Sequence, residues 1–196
     1  LGTEHLSLYQ LTIEPGTRFA TMVAKHEFEP LDADRSATLF ELTQARTAEA
    51  SIPAYEISNH ARPGAESRHN LSYWRYQDYA GVGPGAHGRR LGMRTVRHKK
   101  PENFLSAVSR NSHGISEEEM LTTQEAAYEA LVMGLRLAEG IEPELLGFRF
   151  GGQSVVAETA VNRMVGYGLL ERYGSRLRTT PQGRLLLDSI LAEIAA

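Results

Sequence analysis

The chain has 196 residues, 41% of them hydrophobic and 23% charged, with a formal net charge of −3, a make-up that suits one globular domain or two small ones. Its count of zero cysteines excludes disulfides, thiolate zinc sites and any iron–sulfur cluster ligated by this chain's own thiolates. The interspersed charges leave no basic face for nucleic acid, and no apolar run approaches the roughly 18 residues of a membrane span.

The start, Leu1-Gly2-Thr3-Glu4-His5, has neither the basic nor the apolar region of a secretory leader, so a cytoplasmic location is expected. With no methionine before Leu1, at what reads as a strand, the sequence predicts a fragment of a longer chain.

Residues 5–13, HLSLYQLTI, are apolar on both faces and predict a buried strand, closed by the turn signal E-P-G-T. A helix is expected over 34–50, opened by acids and carrying Leu39, Leu42, Ala45 and Ala48 on one side, with Ile52-Pro53 stopping it. Tyr55-Glu56-Ile57 then predicts a short strand. A strand, helix, strand unit within 1–57 is the ordinary source of a parallel sheet.

The stretch 55–74, YEISNHARPGAESRHNLSYW, crowds two histidines, two asparagines and the only tryptophan together, and reads as a loop. Next comes A-G-V-G-P-G-A-H-G over 80–88, followed by 89–98, which alternates about Gly92 like a hairpin. From Pro101 the character is helical: Thr122 and Glu125 form a capping box, Tyr128, Leu131, Leu135 and Ala138 share a face, and Gly140 is expected to end that helix. The remainder predicts a short helix, a second over 155–167, a two-stranded wing over 169–179, and a closing helix from Pro181 that packs Leu185, Leu186 and Ile190, an order resembling a winged helix.

The glycine-rich segment lacks the G-K-[ST] ending of a P-loop and the following amphipathic helix of a dinucleotide fingerprint. Taken alone it leaves two readings open, a tight structural turn or a strand end in contact with a ligand, since both need glycine for the same steric reason. His69 beside Asn70, Tyr73 and Trp74 could offer an imidazole to haem iron in an aromatic-walled pocket, although spacing alone favours a histidine bonded to loop carbonyls. His60 and His87 are weaker candidates, and His5, His26, His98 and His113 have no partner at metal-ligand spacing. Glu14 and Glu56 follow the two expected strands, where carboxylates either serve a common rim or hold loop amides. No nucleophile elbow occurs. From Ile141 onward six arginines face six acids, so the winged-helix-like tail reads as a packing or protein-contact module rather than a DNA reader.

Taken in order, LYQLTIEPGT, YEISN, ARPG, RHNLSYW, YAGVGPGAHG, MGLRL-x-EG and LRTTPQG strongly resemble the HemW group of radical S-adenosylmethionine proteins, relatives of oxygen-independent coproporphyrinogen III dehydrogenase. The resemblance covers nearly the whole chain, and H-N-x-x-Y-W is its most specific element.

It implies an α/β fold, with the C-terminal part of a partial (β/α) radical-SAM barrel over 1–100 and a mainly helical, winged-helix-like HemN-type C-terminal domain over 101–196. It implies haem as a bound group, with S-adenosylmethionine and a 4Fe–4S cluster in the longer protein. The C-x-x-x-C-x-x-C ligands of that cluster are absent here. Carried over by position, Gln10, Thr12, Gly81, Gly83 and Gly85 fall on the S-adenosylmethionine side. His69, Asn70, Tyr73 and Trp74 fall on the haem side, with His69 as the candidate iron ligand. His60 departs from the phenylalanine often found after E-I-S-N.

The expected function is that of a haem chaperone handing haem to acceptor haemoproteins, with no catalytic residue in this chain and no radical chemistry by it alone. The alternatives are a coproporphyrinogen III dehydrogenase of porphyrin biosynthesis and a non-catalytic winged-helix interaction module. A homodimer and peripheral membrane contact stay open.

Overall fold

The computed structural model describes residues 2–196, and the chain divides into two units, 1–66 and 67–196. Leu1, where the opening strand was expected, lies outside the described residues.

The first unit contains β1 (His5–Ser7), α1 (Arg18–Ala24), α2 (Ala33–Glu49) and β2 (Asn59–Ala61). Asp32 opens α2 by accepting from Arg35 N at 2.8 Å, as an N-cap should. The expected parallel sheet is not formed: β1 pairs with β2 antiparallel, Leu6 opposite His60. The cause is a fold-back that sequence patterning missed. Residues 55–57, expected as a strand, lie in a bend over 55–58, and Tyr55 N donates to Asn59 O at 3.0 Å while Ala54 bridges His60 antiparallel. The chain therefore reverses before the pairing strand begins.

The expected strand over 5–13 is also shorter. Beyond Ser7 only Leu8 N finds a backbone partner across from it, Ser58 O at 2.8 Å, and Tyr9 and Leu11 are exposed. In α2 the helix is where the sequence puts it, yet Leu39 and Leu42 are exposed. The covered side is instead that of Phe40, Thr43, Gln44 and Thr47. Periodicity locates a helix, but the element lying against it selects the covered side.

The second unit begins with α3 (Arg68–Trp74), at the end of the stretch expected as a loop. Then come β3 (His87–Arg90), β4 (Met93–Arg97), α4 (Pro101–Asn111), β5 (Ile115–Met120) and α5 (Thr123–Gly134). The hairpin about Gly92 forms as expected, and β5, absent from the sequence reading, adds a third strand in the order β3-β4-β5. The Thr122/Glu125 capping box is present. The helix ends at Gly134 rather than Gly140, and Tyr128 is exposed whereas Leu131 and Leu135 are fully buried.

The chain closes with α6 (Pro143–Arg149), α7 (Glu158–Gly166), the antiparallel hairpin β6 (Leu170–Tyr173) and β7 (Arg176–Thr179), α8 (Pro181–Leu185) and α9 (Leu187–Ile194). The expected single closing helix breaks at Leu186. Leu185 and Leu186 are therefore exposed, while Leu187, Ile190, Leu191 and Ile194 are buried. With Leu131, Leu137, Val161, Leu170 and Leu177 these form the apolar core of this unit. Among the described residues the sheets have two, three and two strands, all antiparallel, and none closes into a barrel. No helix among them is long and apolar enough to cross a membrane.

Candidate functional site

Ser67 starts α3 by accepting from Asn70 N at 3.3 Å, so the H-N-x-x-Y-W residues are held in helical register. At i, i+4 spacing His69 and Tyr73 share one face, and Asn70 and Trp74 share the next. Those two faces do different things.

Trp74 is the anchored side. The Arg136 guanidinium lies 4.8 Å from its ring centroid, and Trp74 itself lines a cavity of about 280 Å³ with Tyr76, Leu137, Ile141, Leu146 and Arg149. Its other neighbour is Tyr73, edge-on at 5.1 Å, and Tyr73 meets Tyr79 edge-on at 5.3 Å. Burial, seconded by the neighbouring Tyr73, holds the Tyr79 hydroxyl above its usual range.

His69 is exposed on the first turn. Its Nδ1 lies 3.5 Å from Asn70 Oδ1, and in the tautomer where Nδ1–H donates there, the lone pair sits on Nε2. An exposed imidazole lone pair beside an aromatic pair fits an axial ligand to haem iron.

The segment after α3 is fixed by residues that sequence reasoning missed. Tyr76, buried and in the left-handed region at φ 55°, donates its hydroxyl to Glu129 Oε2 at 2.7 Å. Burial first, and that bond second, push the phenol far above its ordinary value, so it stays a donor at any working pH. Arg89 lies over the Tyr76 ring at 3.4 Å, and Glu129 also accepts from Arg94 at 3.0 Å. The available signal was positional: Tyr76 follows one motif by two residues, and Arg89 directly follows the other.

The glycine-rich motif serves the same neighbourhood. Gly83 (φ +89°) and Gly85 (φ +71°) make a turn that side chains disfavour, with open space around Gly83. Gly81 differs, since a Cβ there would meet His87 O at 2.2 Å. The steric demand thus sits at Gly81, and at Gly83 and Gly85 the demand is conformational. Tyr79 and Arg89 exchange backbone hydrogen bonds at 2.8 and 3.0 Å, so 79–81 runs antiparallel beside β3.

In the first unit, Gln10 and Thr12 line a cavity of about 270 Å³ with Tyr9, Phe40, Gln44 and His60. Gln10 donates its amide to Ser36 O at 2.7 Å. Buried Glu56 accepts from Ser58 N at 2.8 Å and Asn59 Nδ2 at 2.6 Å, holding loop amides. Glu14 is exposed and its carbonyl closes the turn to Thr17. His60 is buried in β2, whereas His87 is exposed at the start of β3. His5 Nε2 contacts Tyr55 OH at 2.9 Å, and His113 Nδ1 accepts from Ile115 N at 3.3 Å. Among the described residues no three His, Cys, Asp or Glu side chains group at metal-binding distance.

Residues 121–186, from the entrance of α5 to the break after α8, match the HemN C-terminal domain. The chain is 34% identical over 192 residues to the haem chaperone HemW of Mycobacterium tuberculosis, covering 97% of this chain and 47% of that protein. It is 30% identical over 191 residues to HemW of Bacillus subtilis, covering 97% and 50%. The mitochondrial radical S-adenosyl methionine domain-containing protein 1 of Mus musculus is 34% identical over 204 residues, covering 96% and 45%. The chain therefore spans about half the length of the curated relatives it matches. Among solved structures, the radical SAM enzyme coproporphyrinogen III oxidase HemN of Escherichia coli aligns with a TM-score of 0.69 at 13% identity, over 96% of this chain and 47% of that one. At that identity the likeness is one of fold.

Proposed function

Because this chain is a homologue of the HemW proteins and carries the HemN C-terminal domain, we propose that it is the haem-presenting part of a haem chaperone. The observation that carries this is the geometry of α3, which anchors Trp74 against Arg136 and leaves His69 exposed with Nδ1 against Asn70. Haem, if bound, would supply an iron that a neutral imidazole can ligate and a flat apolar surface that an aromatic ring can border. His69 is the residue to meet the first and Tyr73 the residue to border the second, while Asn70 holds the imidazole tautomer and Trp74 holds the helix. A ligand on an exposed helix face, rather than in a closed cavity, suits a protein whose task is to give haem away.

A cysteine-ligated cluster does not fit this chain, which has no cysteine. Contacts to S-adenosylmethionine from Gln10 and Thr12 belong to the longer protein. Gln10 would use its carbonyl oxygen or its second amide N–H, the first being donated to Ser36 O. The exposed Tyr9, Leu11, Leu39 and Leu42 give the remainder of such a protein an apolar surface to cover. The proposed organisation is a barrel-derived part over 1–100 and a C-terminal domain over 101–196, in a cytoplasmic protein whose partners are acceptor haemoproteins.

The test is transfer. Loaded with haem and mixed with apomyoglobin, the protein should pass its haem on, with the absorption spectrum converting to that of holomyoglobin. Retention of haem, or conversion of coproporphyrinogen III to protoporphyrinogen IX by the longer protein, would overturn the chaperone reading.

A further inference from the structure

We propose that Arg89 is a positioning residue for the haem-side helix, and that the glycine-rich motif exists in part to deliver it; this rests on the reading of α3 as the haem-presenting element. Arg89 is 5% exposed. Its guanidinium lies 3.4 Å from the Tyr76 ring centroid and 5.4 Å from that of Tyr79. One terminal nitrogen donates to Gln77 O at 3.0 Å, and the other stands 3.8 Å from Glu129. The backbone of the same residue exchanges two hydrogen bonds with Tyr79. A single side chain thereby holds residues 76, 77 and 79, the segment through which α3 leaves.

A packing role alone would be better met by an apolar residue, because a buried guanidinium is costly unless each N–H is paired. Arg89 is tolerated there although its Nε is buried with no hydrogen-bond partner among the described residues. What the charge adds is direction. It fixes a ring and a carbonyl at once, which a planar fork can do and a point charge cannot. The strand carrying it can lie against 79–81 only because Gly81 and Gly88 lack side chains: a Cβ on Gly88 would meet Gly81 N at 2.9 Å. Arg149 completes the hold by donating to Tyr76 O at 2.6 Å. The glycine motif and the H-N-x-x-Y-W motif are in this sense one device.

Hemin titrations of wild type, Arg89→Met, Arg89→Lys, Glu129→Gln and His69→Ala, followed in the Soret band, test this together with hydrogen exchange at 68–80. Arg89→Met should bind hemin about tenfold more weakly, with its Soret maximum moved toward that of His69→Ala. Exchange should speed up at 68–80 and stay unchanged in the hairpin at 170–179. Arg89→Lys should not restore binding, and Glu129→Gln should lose about threefold. If Arg89→Met does not fold, Glu129→Gln carries the test. Weakened binding in His69→Ala with wild-type titration of the Arg89 and Glu129 variants would overturn the positioning role. If His69→Ala itself binds normally, the haem reading fails, and unchanged exchange at 68–80 would then still overturn the role of Arg89.

Discussion

Replacing Gly81 by alanine places a methyl group 2.2 Å from His87 O and 2.7 Å from His87 C. Ordinary contact would require that carbonyl to retreat by about 1.2 Å. It is backbone in β3, one residue from the glycine that packs on Gly81 and two from Arg89, so it cannot yield as a side-chain tip would. Gly81 is not in the left-handed region, so alanine there gains about 0.4–1 kcal/mol from the stiffer unfolded chain, against an overpacking cost of 1–3 kcal/mol or more. With backbone as the obstacle the cost falls at the upper end, and the net loss should be about 2 kcal/mol. Gly83→Ala is the control: nothing lies within 4 Å of its Cβ, and only the φ of +89° penalises it, by about 1 kcal/mol. Urea unfolding followed by circular dichroism should give a lower midpoint for Gly81→Ala than for Gly83→Ala, at unchanged slope. A Gly81→Ala protein as stable as wild type, or more stable than Gly83→Ala, would refute the close-approach argument.

Leu177, fully buried and paired through its backbone with Ile141, should lose about 2–5 kcal/mol on replacement by alanine, read as a fall in thermal midpoint. Arg75 grips Glu139 through two bonds of 2.9 Å and, as the largest cause, holds its carboxyl below the ordinary range. Because the folded value is lowered, this contribution is complete above the usual carboxyl pKa and is lost as pH falls through the folded one. Glu139→Gln should accordingly cost no more than about 1 kcal/mol at neutral pH, the pair being half exposed, and should lose less stability than wild type on acidification below about pH 5; a parallel acid profile would contradict the pairing. Anaerobic reconstitution with iron and sulfide should yield no 4Fe–4S absorption in this chain, since it has no cysteine.

Much of the second unit was legible because its signals are local. The Thr122/Glu125 box, the hairpin about Gly92 and the hairpin over 170–179 depend on neighbours a few residues away. The misreadings share a different cause. The parallel pairing of β1 failed because the fold-back at 55–58 carries no Gly-based turn signal. The outward face of α2 failed because periodicity does not say which element lies opposite. The strand Ile115–Met120, I-S-E-E-E-M, is too acidic for a strand by propensity. It forms because β4 offers a ladder, with Arg94 pairing with Glu119 across it.

At the candidate site, His69 and Trp74 stood out as unusual residues in a motif, whereas Tyr76, Arg89 and Glu129 are ordinary residues whose importance comes from being brought together across 54 positions of chain. Sequence spacing cannot register that. It also could not tell Gly81 from Gly83, since steric and conformational demands both select glycine.

The central claim is that α3 presents His69 to haem. It is tested most directly by titrating the protein with hemin and following the Soret band in wild type and His69→Ala, with thermal unfolding as the check on folding. The exposed position of His69 means the variant should fold as wild type does. It should bind hemin at least tenfold more weakly, about 1.4 kcal/mol, with a Soret maximum displaced by loss of the imidazole. A His69→Ala protein whose titration curve and Soret maximum coincide with those of wild type would contradict the claim.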